Sequence, residues 1–178
     1  QVTGAPNRVL ATRMTAIAAS FSDMRGFTPG SAQKMVVTGN PVRPAIAALR
    51  EQPYTPPAEG NIDLLVFGGS QGAHVFSEVL PQALQTLPDA LRQRLVITQQ
   101  CRKEDVDHTQ AAYQALGIRA TVAPFFKDMA SLLGKAHLVI CRSGASTLAE
   151  MTMAGKPAIY VPYPFAAEDH QMVNAQYL

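Results

Sequence analysis

From residue 61 onward the chain alternates between short, nearly continuous apolar runs and stretches whose apolar residues recur every third or fourth position. NIDLLVF (61–67), RLVITQQ (94–100), ATVAPF (120–125), HLVIC (137–141) and PAIYVPY (157–163) are predicted strands. SQGAHVFSEVLPQAL, a polar stretch from about Lys103 to Leu116, DMASLLGKA, GASTLAEMTMAG and the final EDHQMVNAQYL are predicted helices. Strict alternation of this kind implies an α/β fold, a parallel sheet with helices on both faces. The apolar continuity of the strands agrees, because parallel strands are covered on both sides. Upstream the pattern is less regular. Residues 5–19, APNRVLATRMTAIAA, read as a short helix, KMVVTG as a first strand closed by Asn40-Pro41-Val42-Arg43, and REQPYTPPAEG as a proline-rich loop or linker.

In open parallel sheets ligands bind beyond the carboxyl ends of the strands. The segments to inspect are therefore 40–43, 68–72, 99–102, 125–128, 142–144 and 162–171. Composition narrows the chemistry these can carry. The 178 residues are 47% apolar and 16% charged, an ordinary globular balance with enough chain for a core. A net charge of +2 gives no argument for nucleic acid. No apolar run reaches the length of a membrane span, and no signal peptide is visible. Cys101 and Cys141 form no CxxC pair, so a disulfide framework or zinc site is not expected and a reducing, cytoplasmic setting is. Gln1 is not a start methionine and HQMVNAQYL stops in mid-helix, so the chain is expected to be a piece of a longer protein.

Three corners and one turn hold the candidate residues. In VFGGSQGAH, Gly68 and Gly69 allow a tight turn and Ser70 offers a hydroxyl where the next helix starts, a place that attracts anions. The same letters equally describe a strand-to-helix turn with no ligand, and neither the GxGxxG fingerprint nor a P-loop is matched. In CRSGASTLAE, Gly144 opens a helix, and Ser143, Thr147 and Glu150 are expected to share one face. Glu150 then stands about 9 Å along the axis from Gly144, a spacing that suits an anion at one end and a diol further along, as in a nucleoside diphosphate. A carboxylate can accept from both ribose hydroxyls. A capped helix whose glutamate faces water also fits this stretch. A serine nucleophile does not, since Cys-Arg precedes Ser143 where an elbow requires Gly-x-Ser-x-Gly, and Cys141 reads as a buried strand end. VPYPFAAEDHQMVNA offers Gln171 for sugar hydroxyls and Glu168, Asp169 and His170 near a helix start, where Glu168 or Asp169 can instead serve as a cap. TGNPVRP puts Arg43 at a strand end, suited to pyrophosphate oxygens or to solvent. Phe125 and Phe126 either flank a base or belong to the core. His74, His108 and His137 show no metal spacing, and each reads as structural or solvated.

Taken in order, TGNPVR, FGGSQGA, FFKDM, CRSGASTLAE and GKPAIYVPYPFAAEDHQMVNA resemble the MurG family of bacterial UDP-N-acetylglucosamine transferases over nearly the whole chain. The resemblance implies a Rossmann-like parallel sheet that is the C-terminal half of a two-domain GT-B glycosyltransferase, with residues 1–35 as the end of an N-terminal acceptor domain and linker and 36–178 as a UDP-sugar domain truncated at its end. It implies inverting transfer of N-acetylglucosamine to lipid I, forming lipid II in peptidoglycan synthesis, at the cytoplasmic side of the inner membrane with peripheral contact, and no nucleic acid partner. No cofactor and no metal are implied, and no DxD-like motif is present. Arg43 and Ser70 would contact the diphosphate and the backbone of Phe126 the uracil edge. Gly144, Ala145, Ser146, Thr147, Leu148 and Ala149 would form the helix start that holds phosphate and sugar, Glu150 would bind the ribose and Gln171 the N-acetylglucosamine. The catalytic base would lie in an absent N-terminal half, leaving this chain the donor-binding part and inactive alone. The sequence departs from the family at Gln99-Gln100-Cys101, where a His-Gln pair is common, and members vary at His170. The competing readings are a UDP-N-acetylglucosamine epimerase of the same fold and a non-catalytic nucleotide-binding module.

Overall fold

The computed structural model describes residues 4–69, 73–166 and 169–178. Helix α1 (Ala5–Ala11) leads into strand β1 (Ile17–Ala19), then α2 (Pro29–Ala32), β2 (Met35–Val37) and α3 (Pro44–Ala47), which a 3-10 turn prolongs to Glu51. The regular alternation follows: β3 (Ile62–Phe67), α4 (His74–Gln85), α5 (Asp89–Arg92), β4 (Leu95–Gln100), α6 (Val106–Ala115), β5 (Arg119–Ala123), α7 (Met129–Lys135), β6 (Leu138–Cys141), α8 (Ala145–Ala154), β7 (Ala158–Tyr160) and α9 (His170–Tyr177).

The strands from β3 onward form one parallel sheet of order β5-β4-β3-β6-β7. Strand alternation explains the two cores. Leu65 and Phe67 of β3 point with Val139 and Cys141 of β6 into one core, against Ile46, Leu49, Leu133 and Met151. Leu64 and Val66 point the other way, with Ile97, toward Phe76, Leu80, Leu84 and Tyr113 of α4 and α6. Successive Cβ atoms leave opposite faces of a strand, so a strand apolar at every position must be covered twice. Full burial of each such side chain stabilises by about 1.5–3 kcal/mol.

The predicted helix over 5–19 divides. It stops at Ala11, and Ile17–Ala19 pairs in parallel with Met35–Val37. Thr12 begins the change, its hydroxyl donating back to the Val9 carbonyl. Ala19 becomes 1% exposed in the strand pairing, a long-range gain that local periodicity does not contain. Elsewhere the predicted elements form, with shifted ends. Pro124 ends β5 one residue after Ala123, since it cannot donate to a ladder. Among the described residues no helix is long and apolar enough to cross a membrane.

Candidate functional site

The sheet order turns around at β3: from there the chain builds outward to β4 and β5 on one side, then returns to add β6 and β7 on the other. Such a switch opens a crevice at the carboxyl ends of the strands flanking it. Those strands are β3 and β6, and Phe67 is the register partner of Cys141. The turn at Gly68-Gly69 and the corner at Arg142–Gly144 are thus side by side. Glycine is required at both positions of the first turn. A Cβ on Gly68 would lie 2.3 Å from that of Ala73, and Gly69 has φ +89°. Ser70 lies outside the described residues, as does Glu168 with the cap expected of it.

Helix α8 starts at Gly144 in extended conformation, with no side chain capping it. Its first N–H groups therefore have no partner from a cap, and the positive end of its dipole lies just past the carboxyl end of β6, the strand next to β3. Ser146 is exposed, while Ala145 and Thr147 are half-buried. Leu148 is buried and helps line an apolar hollow with Ala149, Thr152 and Met153, so its side chain belongs to packing. Ser143 does not share the helix face expected of it. The extended backbone before α8 turns it inward, and it is fully buried with its hydroxyl donating to the Gln171 carbonyl at 2.7 Å.

That bond brings Gln171 to the Gly144 corner. Asn174, one turn further along α9, adds a second: its Nδ2 donates to the Ser143 carbonyl at 3.1 Å, and the residue is 1% exposed. The Gln171 side chain accepts from the Tyr163 N–H at 3.0 Å. Gly68, Gly69, His74, Arg102, Arg142, Tyr163, Phe165 and Gln171 border one open cavity of about 750 Å³. Arg142 holds the cavity's far lip in place. Its Nη1 donates to the carbonyls of Val161 and Pro162, and its guanidinium stacks over Phe76 and Tyr163. Burial lowers its pKa from the ordinary value, and its charge is met by carbonyl dipoles and ring faces. The two carbonyls it takes lie just beyond the end of β7.

Arg43 and Glu150 are brought together with each other. Arg43 Nε and Nη2 donate to the two carboxylate oxygens of Glu150 at 2.9 and 3.1 Å, a forked pair. The Glu150 bond leads in raising the arginine's pKa. Asn40 delivers the arginine: its Nδ2 donates to the Ala145 carbonyl and its Oδ1 accepts from Ser20, pinning the TGNP turn onto the start of α8. Neither partner was legible as a pair in the sequence, because 107 positions separate them. Phe126 is half-buried in the loop between β5 and α7, and Phe125 is 69% exposed. Helix α7 runs back from the sheet edge over β3 and α3, which carries that loop along the carboxyl ends of the strands. Cys141 is a buried strand end, as expected, its thiol pushed up to about 12 by burial. Asn40, Arg142, Ser143 and Asn174 are the positions that sequence reasoning left without these roles. Only tertiary contact reveals them, apart from Asn40, whose place in a turn is a local sign.

Comparison with known proteins bears on the family and the fold. The model of the glycosyltransferase family 28 C-terminal domain matches residues 63–178. A protein of Granulibacter bethesdensis named UDP-N-acetylglucosamine–N-acetylmuramyl-(pentapeptide) pyrophosphoryl-undecaprenol N-acetylglucosamine transferase is 54% identical over 99% of this chain and 46% of its own length. A protein of the same name from Sinorhizobium fredii is 53% identical over 98% of this chain and 46% of its own length. The crystal structure of Acinetobacter baumannii MurG superposes with a TM-score of 0.73 at 34% identity, covering 99% of this chain and 47% of that one. A glycotransferase of kitacinnamycin, 17% identical with a TM-score of 0.52 over 83% of this chain and 37% of that one, shares the fold. The chain spans about half the length of the curated relatives it matches.

Proposed function

The chain belongs to glycosyltransferase family 28, whose C-terminal domain it carries, and from that membership we propose that it is the donor-binding half of an inverting N-acetylglucosaminyltransferase. The donor is UDP-N-acetylglucosamine, and the acceptor is the polyprenyl-diphosphate muramoyl pentapeptide that the relatives' name describes. Residues 1–35 then close an acceptor domain and its linker, and 36–178 hold the donor. The whole protein works from the cytoplasmic side of the inner membrane by peripheral contact. The observation that carries the reading is the pairing of Phe67 with Cys141. It sets a glycine turn beside an uncapped helix start, with a carboxylate about two turns down that helix.

In this arrangement the diphosphate lies at Gly68, Gly69 and Ser70 and at the N–H groups of Ala145, Ser146 and Thr147. The ribose hydroxyls donate to Glu150, whose oxygens keep lone pairs beyond those that Arg43 uses. Nη1 of Arg43, outside the forked pair, is left for the diphosphate. The backbone of Phe126 meets the uracil edge, and Gln171 meets the sugar. An acceptor hydroxyl attacks the anomeric carbon from the face opposite the diphosphate. The bond from that carbon to the diphosphate oxygen breaks, its electron pair leaves with UDP, and the hydroxyl proton passes to a base outside this chain. The charge that grows on UDP is met by the helix N–H groups and Arg43, which are in place before it forms.

Calorimetric titration of the 178-residue chain with UDP-N-acetylglucosamine, UDP, ATP and NAD tests the donor assignment. The two uridine nucleotides should bind at least about tenfold more tightly than ATP or NAD, a difference of about 1.4 kcal/mol. Equal or stronger binding of ATP or NAD would overturn it.

A further inference from the structure

His74 is the first residue of α4 and borders the cavity beside Gly68 and Gly69, yet the donor reading gives it no task. Its Nδ1 is 2.9 Å from both carboxylate oxygens of Asp105, and its Nε2 is 3.2 Å from Oε1 of Glu78. An ionised carboxylate only accepts hydrogen bonds. Nδ1 therefore carries a proton toward Asp105, and the acids on both sides of the ring favour its imidazolium form. Asp105 is buried and therefore a fixed anchor, while the ring itself is half exposed. The charged groups facing the ring are Asp105 and Arg102, from the connection between β4 and α6, and Glu78 on its own helix. The hydrogen bond to Asp105 leads in raising the His74 pKa, both acids add to it, and Arg102 opposes.

The mechanical link to the site is short. Ala73 fills the space against Gly68 where a Cβ would have stood, and His74 is the next residue. We propose that protonated His74 is a positioning residue: by joining the first turn of α4 to Asp105 it holds Ala73 and the Gly68-Gly69 turn in their diphosphate-binding shape, so that donor affinity declines when the ring loses its proton. The proposal deepens the donor-site reading and rests on it. The sign follows from the raised value. The charge-assisted bond is at full strength below the ordinary imidazole value of about 6.5, and it weakens as pH rises through the raised one, because the neutral ring donates its Nδ1–H without the charge.

The test is the 178-residue chain titrated with UDP-N-acetylglucosamine across neutral pH. Wild-type affinity should fall about fivefold or more through the His74 step. His74→Gln should bind at the weaker level throughout, with no step. A His74→Gln profile that keeps the wild-type step would overturn the proposal. The second readout needs neither donor nor variant. Backbone amide resonances of Gly69 and Ala73 should titrate with the same midpoint as the His74 ring protons, and amides that ignore that ring would also overturn it. A wild-type chain that binds no donor at any pH would instead defeat the donor reading, and the amide titration would still decide the latch.

Discussion

Arg43 and Glu150 show how a residue's task depends on its partner. Each alone is a surface charge at the end of a turn or on a helix. Paired, the arginine fixes the direction of the carboxylate, whose side chain is 16% exposed against 59% for the arginine. An ion pair this open to solvent adds about 0–1 kcal/mol to stability, so its use is orientation. Glu150→Ala should therefore leave the fold intact and weaken UDP binding by about 1–3 kcal/mol, the range for lost charged hydrogen bonds. Calorimetry on the folded variant measures this, and unchanged affinity would remove Glu150 from the site. At this scale the sequence offered residue types and not their partners. Glycines 68, 69 and 144, Glu150 and Gln171 were singled out by local rules, which tie glycine to turns and carboxylates to hydroxyl recognition. It gave no sign that Ser143 faces inward, because one residue of extended backbone separates it from the helical spacing that would have turned it outward.

At the scale of elements, the contact that matters most is α9 against the start of α8. Ser143 is its centre, donating to Gln171 and accepting from Asn174. Ser143 and Asn174 are both buried, so water competes little for these bonds. Asn174→Ala would leave the Ser143 carbonyl without that donor. Loss of about 1–3 kcal/mol in urea unfolding is expected, together with weaker binding of UDP-N-acetylglucosamine as Gln171 loosens. A variant as stable as wild type would show that α9 is held by packing alone. Elements are also where periodicity succeeded and failed. Strands β3, β4 and β6 were legible, being apolar on both faces. Strand β1 was not, for three residues paired with a distant strand look like the tail of a helix. The predicted strand through Tyr163 shrank to Ala158–Tyr160, and just beyond it the carbonyls of Val161 and Pro162 turn to the Arg142 guanidinium.

For the whole molecule the proposal makes a division of labour. The 178-residue chain should bind UDP-N-acetylglucosamine yet release no UDP when a lipid I analogue is added. A protein extended to the length of the relatives should do both. A coupled assay for UDP release reads the difference, and robust transfer by the 178 residues alone would show that the other half is dispensable. The sequence by itself determined the alternation of strands and helices, the parallel sheet that follows from it, and the glycine corners at its carboxyl edge. All of these are written in patterns a few residues long. Only the tertiary structure decided that β3 lies beside β6, that Arg43 meets Glu150, that His74 meets Asp105 and that Asn174 reaches Ser143. Local periodicity says that a strand must be covered but not which strand lies next to it; that choice belongs to the crossovers that fold distant segments into one crevice.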